Sequence, residues 1–254
     1  MSGHSKWSSI KHKKAAVDAK RGRAFSKLSR AITAAAKQGG GDPEHNHQLA
    51  AAVEKAKDFN MPADKIERAI KRGTGEIEGA QFEQLTYEGY GPNSVAIMVE
   101  VLTDNRNRAA ADMRNIFARH SGNLGESGCV SWMFESKGII LVNKKNGTNE
   151  DDLLALAIEA GADDVGAEDN HWEITIKPED LMKVRKALEA GNIKFTSAEL
   201  TKVPKSVVKL DKSQAKKVLR LVDTLEEHDD VQEVYANFDI PDEVLEELSR
   251  GRQS

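Results

Sequence analysis

Between residues 138 and 200 the apolar pattern switches repeatedly between strand and helix periods, and this constrains the fold more than any other feature. Residues 138–142 read as a strand. Thr148, with Asp151 three residues on, resembles a capping box. Leu153, Leu154, Ala157 and Ile158 then make a helical stripe that Gly161 ends. Residues 163–167 and 172–176 read as two strands joined by a polar turn. Pro178 opens a second helix carrying Leu181, Val184 and Leu188, and Gly191 closes it. Residues 193–200 supply the last strand. The order is βαββαβ, the ferredoxin-like split βαβ arrangement.

The flanking segments read differently. Residues 1–22 carry Trp7, Ile10 and Val17 too sparsely to bury a face, and read as a basic arm. Residues 23–73 read as a helical bundle. Phe25, Leu28, Ile32 and Ala35 form its first stripe, which Gly39-Gly40-Gly41 ends. Asp42-Pro43 supplies an N-cap and a first-turn proline for the second helix, and Pro62 opens the third. After a polar linker, YEGYGP (87–92) reads as a turn, and residues 95–101 as a near-continuous apolar strand. Asp104 or Asn105 caps a helix with Ala110, Met113 and Phe117. Residues 121–128 read as a loop and 130–134 as a third strand. Asp211 with Gln214 caps a helix carrying Ala215, Val218, Val222 and Leu225. Val234, Ala236 and Phe238 alternate as a strand, and Pro241 opens a last helix. A lone αβ pair cannot form a domain, so residues 204–240 complete residues 81–135. The fold class is multidomain, α and α+β, with residues 137–203 inserted as the ferredoxin-like domain.

Charge points to function. The chain of 254 residues has a net charge of −4, but residues 1–40 hold ten Lys/Arg and one acid, Asp18. Residues 74–254 hold 21 basic and 34 acidic side chains. A basic head on an acidic body suggests an anionic polymer as partner. Candidate nucleic-acid contacts are Lys6, Trp7, Lys11, His12, Lys13, Lys14, Lys20, Arg21, Arg23, Lys27 and Arg30. Each cation displaces a condensed counterion from a phosphate backbone, and Trp7 offers a ring for base stacking. A second basic cluster, Arg106, Arg108 and Arg114, starts in a helix's first turn, where cations oppose the dipole. Pairing with Asp104 and Asp112 explains it equally well.

Catalytic signatures are lacking, and the expectation is a protein that is not an enzyme. The chain has no P-loop, dinucleotide fingerprint or H-E-x-x-H motif, and Gly125 to Gly128 is one residue short of a nucleophile elbow. His45 and His47 are a weak metal hint without a third ligand, so no metal and no cofactor is expected. The acids Glu226, Glu227, Asp229 and Asp230 read as a solvated helix end. The single cysteine, Cys129, fits a reducing compartment and burial beside Trp132. No apolar run reaches a membrane span, and a cytoplasmic protein is expected over one with a transit peptide.

Several motifs carry a resemblance. GHSKW (3–7), KRGRAFSKL (20–28), YEGYGP (87–92), TDNRNRAAADMR (103–114) and GNLGESGCVSWMF (122–134) together resemble the YebC family. The resemblance implies an N-terminal helical bundle, an α+β domain and a ferredoxin-like domain inserted in it. It further implies a DNA-binding regulator of transcription. Mitochondrial relatives activate translation of a cytochrome oxidase subunit, and some bacterial members are linked to relief of ribosomes stalled at proline-rich stretches. A ribosome-associated factor that binds ribosomal RNA is therefore the alternative. A protein adaptor using its acidic C-terminal face, or a small-molecule sensor, ranks below both. The resemblance brings no catalytic residues.

Overall fold

A computed structural model describes residues 18–79, 82–144, 149–167, 171–241 and 244. The chain forms two compact units: Met1–Met133 with Ser206–Ser254, and Phe134–Lys205. The second is thus an insertion between two parts of the first.

The first unit opens with three helices, α1 (Asp18–Gly39), α2 (His47–Asp58) and α3 (Ala63–Gly73). Helix α1 begins inside the segment read as an arm, because its Ala, Lys and Arg are good helix formers. Leu28, Ile32, Ala35 and Ala36 pack on Leu49, Val53 and Ala56 of α2 and on Ile66 and Ala69 of α3. Helix α2 starts later than Asp42-Pro43 suggests. Its cap is the buried Asn46, whose Oδ1 accepts from the Leu49 amide at 3.1 Å. The same side chain donates to the carbonyls of Ala35 (2.9 Å) and Gly40 (2.8 Å), so one amide ends α1 and starts α2.

The sheet of this unit combines β1 (Glu83–Tyr90), β2 (Ala96–Thr103), β3 (Asn123–Leu124) and a later strand, β9 (Val231–Ala236). Their order is β3-β1-β2-β9, antiparallel throughout. The YEGY segment is strand, not turn: Tyr87 pairs with Val99 and Tyr90 with Ala96. The reversal falls on residues 91–95, where Asn93 and Ser94 take positive φ (63° and 59°). Gly89 is needed because a Cβ there would collide with the Asn123 carbonyl as β3 docks on β1. The third strand is therefore Asn123–Leu124, within the expected loop, while residues 131–133 form a 3₁₀ turn.

Val95 and the odd positions of β2, Ile97 to Val101, face α4 (Arg106–Arg119) through Ala109, Met113 and Phe117. They also face α7 (Lys212–Glu227), which presents Ala215, Val218, Val222 and Leu225. Helix α7 has the expected capping box, Asp211 with Gln214. Even positions point the other way, where Met98 pairs with Tyr235 and Glu100 with Glu233. Lys55 of α2 reaches Glu233 on that face at 2.5 Å. The sheet thus lies between the α4–α7 layer and the bundle. A short parallel pairing of β8 (Val208–Lys209) with β10 (Phe238–Asp239) completes the described part of this unit. The helix expected from Pro241 falls mostly outside the described residues.

The second unit contains β4 (Phe134–Asn143), α5 (Glu150–Ala160), β5 (Ala162–Ala167), β6 (His171–Ile176), α6 (Leu181–Ala190) and β7 (Ser197–Pro204). Its sheet order is β5-β6-β4-β7, antiparallel, the ferredoxin-like arrangement. Ile140, Val142, Ile174 and Ile176 pack on Leu153 and Ala157 of α5 and Val184 and Leu188 of α6. Helix α5 is capped by Asn149, whose side chain accepts from the Asp151 amide. The last strand starts four residues late, because the Ile193 amide donates to Leu188 and the side chain stays in the helix-side core.

Candidate nucleic-acid interface

Arg23, Lys27 and Arg30 recur at helical spacing on α1 and define one face of it. Two of them are turned onto the protein. Lys27 Nζ donates to the Glu226 carbonyl at 2.6 Å. Arg30 Nη1 donates to the Asp229 carbonyl (2.6 Å) and to Asp230 Oδ1 (2.7 Å), and its guanidinium lies 5.5 Å from the Phe82 ring centroid. The Asp230 carboxylate has a second arginine on its other oxygen. Arg108 Nη2 donates to Oδ2 at 2.9 Å, and the Thr103 hydroxyl donates there at 2.9 Å.

Asp230 is buried, with 3% of its surface exposed, which corrects the reading of the 226–230 acids as a solvated helix end. Burial pushes its carboxyl up, but Arg108, Thr103 and Arg30 together outweigh this and hold it below the ordinary aspartate range. Arg108 is shared with Asp104 at 2.8 Å, and these acids push its guanidinium further toward the charged form.

The two basic clusters seen separately in sequence therefore converge. Arg23, Arg30 and Arg108 line one open groove of about 790 Å³ with Asp104, Glu227, His228, Asp229 and Asp230. Its charges are nearly balanced, so it acts as a clasp between bundle and sheet and not as a cationic trough. Arg106 and Arg114 stand apart on the exposed side of α4. Arg106 lies 3.5 Å from Glu83, and Asp112 meets His228 Nε2 at 3.2 Å. Of the arm, Lys6, Trp7, Lys11, His12, Lys13 and Lys14 lie outside the described residues, and Lys20 and Arg21 fall in the first turns of α1. His45 sits 2.6 Å from Asp42. Among the described residues no group of three metal-ligating side chains occurs, and no helix is long and apolar enough to cross a membrane.

Sequence reasoning missed Glu88, which organises the GNLGESGCVSWMF motif. Its carboxylate is buried and accepts from the amides of Gly128 (2.8 Å), Val130 (2.9 Å) and Ser131 (2.8 Å). Those amides are thereby withdrawn from any strand ladder, which explains the 3₁₀ turn found in place of the expected third strand. Tyr90 Oη and Trp132 Nε1 both donate to the Cys129 carbonyl, at 3.2 and 3.1 Å. Trp132 is 66% exposed, so it does not bury Cys129 as expected, and the thiol is only half-buried. Burial pushes the thiol up, and the Glu88 charge adds to it.

Burial raises the Glu88 carboxyl, and the three amides more than reverse this, leaving it below the ordinary glutamate range. Its contribution is then present above the unfolded pKa of about 4.3 and fades as pH falls through the lowered native value. Glu88→Gln should weaken the loop by about 2 kcal/mol, a ~30-fold faster amide exchange at Gly128, Val130 and Ser131. Unchanged protection of these amides would show that the loop holds itself.

Family models place the chain among known proteins. Residues 5–76 match the TACO1/YebC protein N-terminal domain, and residues 82–238 the TACO1/YebC second and third domain. Two relatives, from Dictyoglomus turgidum and Halothermothrix orenii, are each called "Probable transcriptional regulatory protein". They are 57% and 58% identical over 249 and 251 residues, covering 98% of this chain and 100% and 99% of theirs. The crystal structure of a conserved hypothetical protein from Aquifex aeolicus superimposes with a TM-score of 0.83 at 51% identity, covering 93% of this chain and 97% of the other. With both domain models matched along almost its whole length, the chain belongs to the TACO1/YebC family.

Proposed function

We propose that the chain is a nucleic-acid-binding regulator of gene expression, a cytoplasmic protein that acts by binding and not by catalysis. One observation carries the reading: ten basic residues and a single acid within residues 1–40, ahead of an acidic body. Such a segment gains free energy by releasing counterions from phosphates, and the net negative charge of the body disfavours contact over most of its remaining surface. The relatives, named as probable transcriptional regulatory proteins, support regulation of transcription as the process.

A second reading, a ribosome-associated factor that binds ribosomal RNA, is favoured by the direction of α1. Lys27 and Arg30 point at protein oxygens, so α1 does not offer them to a DNA groove. Phosphate contact then falls mainly to the residues before them.

Crosslinking in cells through residues 1–30, with sequencing of the attached nucleic acid, tests both readings. Genomic DNA fragments support transcription and ribosomal RNA supports the second reading, whereas recovery of neither refutes the proposal. Trp7→Ala should cost about 1–3 kcal/mol on single-stranded RNA if the ring stacks on a base. Equal affinities of the variant and the parent would assign the ring to protein packing.

A further inference from the structure

The outer side of the α4–α7 layer carries a cluster of cations that the clasp does not use. Burial of Met113 and Phe117 on α4, and of Val218, Leu219 and Val222 on α7, turns Arg114, Arg119, Lys216, Lys217 and Arg220 to solvent. The two helices touch where Thr224 Oγ1 meets His120 Nε2 at 3.2 Å. Arg119 precedes that histidine, and Arg220 lies one turn before that threonine, bonded to it through its carbonyl at 2.8 Å. Arg119 and Arg220 therefore stand near this junction, with Lys216 and Lys217 about a turn farther along α7 and Arg114 more than a turn back along α4.

Asp223 neighbours Thr224 at the junction, and the other acids of the layer lie away from it. Asp112 is held by His228, and Asp223, Glu226 and Glu227 all fall near the C-terminal end of α7, where Glu227 lines the clasp groove. Helix α7 thus carries cations toward its N-terminus and acids toward its C-terminus, the reverse of what its dipole favours. Among the described residues no ion pair reaches any of the five cations. An arrangement that opposes the dipole and leaves like charges adjacent is not explained by the stability of the fold.

We propose that this face is a second phosphate-contacting surface, on the side of the sheet opposite the bundle, and that it binds the backbone of the nucleic acid engaged by the leading segment. The inference rests on the nucleic-acid reading above and deepens it. Its chemistry is that of Arg and Lys on phosphate oxygens, which is independent of base sequence.

The test uses the full chain, a fluorescent 30-nucleotide single-stranded RNA and a 30-base-pair DNA duplex. One variant changes Arg114, Arg119, Lys216, Lys217 and Arg220 to Gln, and another changes Lys6, Lys11, Lys13 and Lys14 to Gln. If three of the five cations meet phosphates, the face variant loses about 2 from the log–log salt slope on RNA and binds about 10- to 100-fold more weakly at 0.1 M salt. The charge-retaining pair Lys216→Arg and Lys217→Arg keeps the parental slope, and a parental melting curve excludes misfolding as the cause. A face variant with parental affinity, beside an arm variant that loses it, overturns this inference and leaves the arm reading standing. The reverse pattern supports the face and overturns the arm. A parent chain that binds neither probe at low salt overturns both.

Discussion

Replacing Lys6, Lys11, Lys13, Lys14, Lys20 and Arg21 by Gln should weaken nucleic-acid binding by about three to four orders of magnitude at 0.1 M salt. This segment should contribute about −4 to −5 to the log–log salt slope of the parent chain if six of its cations meet phosphates, since each contributes about 0.7 on single strands and about 0.9 on duplex. The variant should retain only a shallow slope. Fluorescence anisotropy across a salt series measures both quantities. A parent chain whose affinity is flat in salt would contradict phosphate capture outright. The effect should greatly exceed that of neutralising Lys27 and Arg30, because those side chains already face protein oxygens. Changing those two should instead act on how the bundle is held.

The second large effect concerns Asp230. Asp230→Ala leaves Arg30 and Arg108 without their shared carboxylate and the Thr103 hydroxyl without its nearer acceptor. Breaking a buried pair costs about 3–5 kcal/mol, and the partial exposure of both arginines brings the expectation to about 3 kcal/mol. Calorimetry should show the transition of the first unit falling by about 6–12 °C. Faster amide exchange should appear along α1, which Asp230 holds through Arg30. Because the Asp230 carboxyl sits below its ordinary value, the stabilisation is complete above the unfolded pKa of about 3.9. It disappears as pH falls through the lowered native value. A variant that melts with the parent at neutral pH would show the clasp to be energetically idle.

Much of the secondary structure was legible because its causes are local. The stripe of α7 and its Asp211–Gln214 box follow from residues three and four apart. The βαββαβ order of the second unit follows from alternating periods closed by Gly161 and Gly191. Errors gathered where a distant group overrode a local preference. YEGY looks like a turn, yet β2 pairs with all of it and Glu88 is satisfied by amides 40 to 43 residues away. Residues 130–134 have strand character, yet the amides of Val130 and Ser131 serve that carboxylate.

The candidate site divides along the same line. Charge along the chain is additive, so the basic head and the preference for an anionic partner belong to the sequence alone. The direction in which each charge points does not. Arg30 and Asp230 are 200 residues apart and Arg108 and Asp230 are 122 apart, and the inserted unit lies between the partners of both pairs in the chain. Only the folded chain brings them within hydrogen-bond distance. Local sequence cannot show such pairings, because a buried carboxylate and a solvated one are the same residue until tertiary packing removes the water around one of them.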